Sequence, residues 1–222
     1  MYYIYRAMFK LKIVLFFISL ITITQCNSAE STLDQVADKS KKLTSSAMHL
    51  KLIEAARSQV GKTVSYDPAY VSLKYPNGDL PINKGVCTDV IIRALRDAYK
   101  FDLQKEVHLD MKSNFSKYPK IWGLKRTDRS IDHRRVPNLA KFMKRKGWSV
   151  PVSKKAKDYK PGDIVVTKVS GSLPHIVIVS DKTSSDATPL IIHNIGSGAE
   201  EENGLFSHKI EGHFRIPLGT FK

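Results

Sequence analysis

Cysteine is scarce. The 222-residue chain has two, Cys26 and Cys87, and Cys26 closes an N-terminal export segment, so one thiol remains in the mature protein. An internal disulfide, the usual reason for exported proteins to carry cysteine, is thereby excluded. Paired cysteines and closely spaced histidines of zinc-binding type are also missing, and neither metal nor cofactor is expected. No apolar run has the length of a membrane-spanning helix. Acidic residues are in deficit, 21 against 36 Lys and Arg. There are no internal repeats, no notable low-complexity tract, and no recognisable nucleic-acid-binding motif beside the basic residues.

What the N-terminus holds is a leader. Arg6, Lys10 and Lys12 precede an apolar stretch over 13–23, interrupted only by Ser19 and Thr22, and Asn27-Ser28-Ala29 offers a small-residue cleavage site. Residues 1–29 read as a signal peptide, and the mature protein as periplasmic or secreted. Ile23-Thr24-Gln25-Cys26 faintly resembles a lipoprotein processing site, but Gln25 is a poor residue before a lipidated cysteine, so lipid anchoring at Cys26 is not the expectation. Cleavage lowers the formal charge from +15 to +12. A basic chain favours acidic partners, whether nucleic acid, anionic headgroups or acidic envelope polymers, and export puts the envelope polymers first. Residues 30–45 are polar and charged and read as a flexible tether. Residues 46–222 have the size of one domain, expected to act as a monomer.

Helical periodicity marks the first half of that domain. A helix is expected over 47–60, with Leu50, Ile53, Ala56 and Val60 facing the core and Gly61 as its stop. Residues 62–86 are too rich in turn residues and tyrosines for regular structure and suit a cleft wall. The next helix runs from Cys87 to Tyr99, with Cys87, Val90, Ile91, Ala94, Leu95 and Ala98 on one stripe and Asp89, Arg93, Arg96 and Asp97 on the other side. Asp89 and Arg93 have the spacing of an i,i+4 ion pair. A short helix over 107–115 and another over 137–146 follow, the latter opened by Pro137. Arg134 and Arg135 can grip a substrate carboxylate or form surface salt bridges.

Beyond residue 160 the period changes to that of strands. Tyr159-Lys160-Pro161-Gly162-Asp163 is a turn, and strands are expected over 164–169, 175–179, 190–194 and 210–216. Helices followed by antiparallel strands with short connections make an α+β domain.

Cys87 has two readings. Free cysteine is often a small buried hydrophobe. At a helix start, however, a thiolate feels the positive end of the dipole, which lowers its pKa, and the unpaired N–H groups there can hold an oxyanion. Position alone leaves the two even. A cysteine protease further needs a histidine to take the thiol proton and a third polar group behind it. His175 and His193 stand at strand ends after the cysteine helix. Strand alternation sends His193 and Asn194 to opposite faces, so one of them orients the base, and His193 is the choice.

Pro81-x-x-x-Gly85-Val86-Cys87-Thr88-Asp89, Tyr159-x-Pro161-Gly162-Asp163, His175-Ile176-Val177-Ile178-Val179 and Ile192-His193-Asn194 follow the order of blocks in the NlpC-type cell-wall cysteine peptidases. The resemblance implies a papain-like α+β fold, with Cys87 as nucleophile, His175 as general base and His193 as third polar residue. The chain resembles more closely the YijF-type secreted bacterial family of unknown function (DUF1287), through residues 79–110 and 132–139 and the two histidine blocks. Val86, Thr88 and Asp89 depart from the residues usual around the peptidase cysteine, and the block over 132–138 has no counterpart there. The expected activity is that of an amidase or endopeptidase acting on peptidoglycan stem peptides, with Arg134, Arg135, Asp89 and Asn194 counted as substrate contacts. An acyltransferase using the same residues and a non-catalytic envelope-binding module are the alternatives.

Overall fold

Strands that are apolar at consecutive positions need cover on both faces, and the computed structural model supplies it. It describes residues 35–40, 46–217 and 220–221. The chain divides into two units, Met1–Ser46 and Ala47–Lys222. In the first, residues 35–40 of the expected tether are helical; the expected export segment lies outside the described residues. No helix among the described residues is long and apolar enough to cross a membrane.

The second unit is mixed α/β around a five-stranded sheet. Its helices are α1 over 46–57, α2 (Cys87–Tyr99), α3 (Leu103–Asn114) and α4 (Val136–Arg145). Two-residue strands β1 (Ser65–Tyr66) and β2 (Lys84–Gly85) pair in parallel just before α2. The sheet strands are β3 (Ile164–Val169), β4 (Leu173–Thr183), β5 (Pro189–Asn194), β6 (Ala199–Glu202) and β7 (Lys209–Phe214), in the order β6-β5-β4-β3-β7. Every pairing in it is antiparallel.

Alternation along the strands sorts the core. Ile164, Val166, Ile176, Ile178 and Ile192 share one cluster with Cys87, Val90, Ile91 and Leu95 of α2. Val165, Val177, Val179 and Ile191 form a second cluster with Tyr159 and Leu205. The sheet is therefore buried on both faces, which explains the unbroken run from His175 to Val179.

Three expectations are corrected. The buried face of α1 is Leu52, Ile53 and Ala56, while Leu50 and Val60 are 39% and 40% exposed. The helix ends at residue 57, so Val60 lies in the following turn and off the stripe. α3 begins at Leu103, before the expected start, because the Asp102 carboxylate caps it by accepting the Gln104 N–H at 3.1 Å. Arg93, expected on the side away from the apolar stripe, is buried. Its guanidinium reaches Asp79 at 3.0–3.1 Å and the carbonyls of Leu80 and Lys84. It thus ties α2 to the long loop over 62–86, and the expected pair with Asp89 does not form.

Burial also sets the response to acid. His133 and His175 are held far below the ordinary imidazole range, to about 3 each, chiefly by burial. The unfolded chain takes up these two protons from about pH 6.5 downward, whereas the folded chain does not. Each therefore lowers the unfolding free energy by up to about 1.4 kcal/mol per pH unit as the pH falls below that value. Urea midpoints measured between roughly pH 8 and pH 4 should decline below about pH 6.5, and less steeply in a His133→Gln protein. A midpoint independent of pH over that range would contradict the assignment of both rings as neutral.

Candidate active site

Cys87 opens α2, with Val86 in extended conformation before it. Local chemistry holds that start firmly. The Asp89 carboxylate accepts the Val86 N–H at 2.7 Å, and the Asn194 Nδ2 donates to the carbonyls of Gly85 at 3.1 Å and Ser65 at 3.3 Å. The Thr88 hydroxyl donates to the Arg134 carbonyl at 3.1 Å. Backbone around the cysteine is thus fixed from β1, β5 and the 3-10 turn Asp132–Arg134 together.

Cys87 is buried, with 4% of the residue exposed. Burial pushes the thiol up to about 12; the N–H groups of Ile176, Thr88 and Cys87 oppose this, and Asp89 adds to it. The expected lowering by the helix start is corrected here, because loss of hydration outweighs the few backbone dipoles aimed at the sulfur. Alkylation of the folded protein should therefore be slow near neutrality and still accelerating at about pH 10, where a free thiol has levelled off. A plateau reached by about pH 8 would show that the thiolate is stabilised instead.

His175 and His193 meet. Nε2 of His175 lies 2.8 Å from Nδ1 of His193, and Nε2 of His193 lies 2.9 Å from Oε1 of Glu202. Both rings are held below the ordinary imidazole range, first by burial; Glu202 works in the opposite direction on His193. Nδ1 of His175 has no hydrogen-bond partner among the described residues. Glu202 was not foreseen from sequence, since β6 is a four-residue strand of acidic composition. The acidic run 200–202 shortly after His193 was the available signal.

Cys87 and His175 line different cavities. Cys87, with Pro174, belongs to an open one of about 490 Å³ walled by Tyr66, Tyr70, Trp122, Arg134 and Arg135. His175 and His193 line a small one with Glu202 and His208. No hydrogen bond joins the thiol to the His175 ring among the described residues. The two approach through the backbone: one of the N–H groups directed at the sulfur belongs to Ile176, the residue after His175. The start of β4 is therefore the partition between the cavities, with Pro174 facing one and His175 the other.

The expected substrate contacts separate. Arg134 and Arg135 both line the larger cavity. Asp89 is buried, with one oxygen on the Val86 N–H and both on Arg134. It closes the start of the helix, and the expectation of Asp89 as a substrate contact is replaced by that role. Asn194 is fully buried, and its Oδ1 has no partner among the described residues. Its amide supports the backbone before Cys87, on the face opposite His193. Tyr66, Tyr70 and Trp122, which no local pattern singles out as site residues, line the same cavity as the cysteine. No cluster of three or more metal-ligating side chains occurs among the described residues.

Comparison with known proteins places this geometry in context. The family described as "Domain of unknown function (DUF1287)" matches residues 53–216. The chain is similar to "Uncharacterized protein YijF" of Escherichia coli (strain K12), 53% identical over 167 residues, which cover 75% of this chain and 81% of that protein.

Proposed function

We propose, for a chain that belongs to the DUF1287 family, the activity of an exported cysteine hydrolase with a papain-like domain, cutting amide bonds in the peptide stems of peptidoglycan. One observation carries the reading. A cysteine at the first turn of a buried helix has backbone N–H groups at its sulfur, and one of them belongs to the residue after His175. From His175 a histidine–histidine–carboxylate relay leads away, with Nδ1 left over. That division of ring nitrogens suits a general base, since the second histidine fixes the tautomer and orientation of the first.

The resting pair is a thiol and a neutral imidazole, since burial disfavours both charges. As the sulfur bonds to the scissile carbonyl carbon, its proton passes to Nδ1 of His175, a transfer that requires the start of β4 to turn that ring out of the smaller cavity and toward the sulfur. The resulting oxyanion is held by N–H groups at the start of α2. The imidazolium then gives the proton to the departing amine as the C–N bond breaks. Water, deprotonated by the same ring, attacks the thioester and releases the acid and the thiol. The basic surface keeps the enzyme against acidic wall material, in the periplasm or outside the cell.

Incubation of the purified protein with peptidoglycan fragments should yield products whose masses differ by the addition of water across one amide bond. Addition of an amine acceptor in place of water would make it an acyltransferase with the same residues. A second reading has an observation in its favour: the buried thiol, without a hydrogen bond to His175, suits a non-catalytic envelope-binding module. Binding without any product, unchanged in a Cys87→Ser protein, would establish that module and overturn the hydrolase.

A further inference from the structure

Arg134 and Arg135 are neighbours in sequence and line the same cavity as Cys87, yet the fold employs them differently. The Arg134 side chain is 2% exposed and its fork is taken. Nε and Nη2 each lie 3.0 Å from an oxygen of Asp89, and Nη1 and Nη2 also reach the carbonyls of Ala69 and Asp67 at 3.3 Å. An incoming anion finds no free edge on this guanidinium.

Arg135 is open. Its guanidinium carbon sits 4.2 Å from the centroid of the Trp122 ring. Its hydrogen bond is a single contact from Nη1 to Asp132 at 3.4 Å, at the outer limit of such bonds. The other Asp132 oxygen is engaged by the Asp128 N–H at 2.5 Å. Asp128 in turn accepts from the Tyr70 hydroxyl at 3.1 Å and the Ser130 N–H at 2.9 Å. The acidic groups beside Arg135 are therefore occupied. A guanidinium held over an indole ring is restrained by the ring and can still offer a planar edge of N–H donors, which suits a carboxylate received through two parallel bonds.

We infer that Arg135, held on Trp122, is the specificity-determining residue of the Cys87 cavity and binds a free carboxylate of an acidic peptide. Arg134 is the structural member of the pair. The inference rests on the hydrolase reading for its substrate class, but it concerns binding and is tested without turnover.

The test is calorimetric titration of the inactive Cys87→Ala protein with an acidic stem tetrapeptide and with the same peptide amidated at its carboxylates. The acidic peptide should bind about tenfold or more tightly, as expected of a charge-assisted bidentate pair. Arg135→Met should bring the two affinities to within about twofold. Arg135→Lys should restore only part of the difference, because an ammonium cannot reproduce the planar fork. Equal affinities with Arg135 intact, or no binding of either peptide, would overturn the inference even if the Arg135 variants failed to fold. The hydrolase reading is judged separately, by product masses from the unsubstituted protein. Products formed alongside equal affinities would leave that reading standing and remove this one.

Discussion

A Cys87→Ala protein is expected to keep its fold and lose hydrolysis of peptidoglycan fragments by about 1,000-fold or more. The fold should survive because the substitution removes one sulfur atom and leaves the Val86 and Thr88 anchors in place. With His175 as the general base proposed above, His175→Ala should cost about 100- to 10,000-fold in kcat. His193→Ala should cost less, since it removes orientation of the base rather than the base itself. Glu202→Gln should cost least, because the Glu202 side chain is 48% exposed and its charge is screened by water. The order Cys87, His175, His193, Glu202 is the informative result. Equal and small losses at all four would place the chemistry elsewhere.

How much of this was legible before the fold was known depended on the range of the interaction involved. α2 runs from Cys87 to Tyr99 and β3 from Ile164 to Val169, as the local periodicity implied. Helical stripes and apolar strand runs are set by neighbours three or four residues away, or two. The pairing of His175 with His193 was also readable, because antiparallel neighbours joined by a short connection bring such positions together. Arg93 was misplaced because its partner Asp79 lies in the loop over 62–86, and no period within α2 records it. Asp89 was given the wrong role for the same reason, since Arg134 is 45 positions away. β1, β2 and β6 have two, two and four residues, too few to show a pattern. The sulfur's burial belongs to the same class. A helix start argues for a low thiol pKa, and only the packing around it reveals the opposing desolvation.

The Asp89–Arg134 pair should be the most sensitive structural element near the site. Their side chains are 4% and 2% exposed, so loss of either partner strands an uncompensated charge. Asp89→Ala or Arg134→Ala is expected to lower the unfolding free energy by about 3–5 kcal/mol. That is a large part of the roughly 5–15 kcal/mol that holds such a domain together. Asp89→Asn should be milder than Asp89→Ala, because an amide oxygen can still accept the Val86 N–H. The double substitution Asp89→Leu with Arg134→Met should cost less than the two single losses added, since it buries no lone charge. Urea unfolding of these proteins together with the single Asp89→Leu and Arg134→Met variants closes the cycle and gives the coupling. The Asp89→Asn protein also bears on the cysteine, because the Asp89 charge is one of the causes that raise its thiol. Its alkylation profile should shift toward lower pH while the fold is retained. If single and double substitutions instead prove equally mild, Arg134 is not held in the way its geometry implies, and the division of labour between Arg134 and Arg135 falls with it.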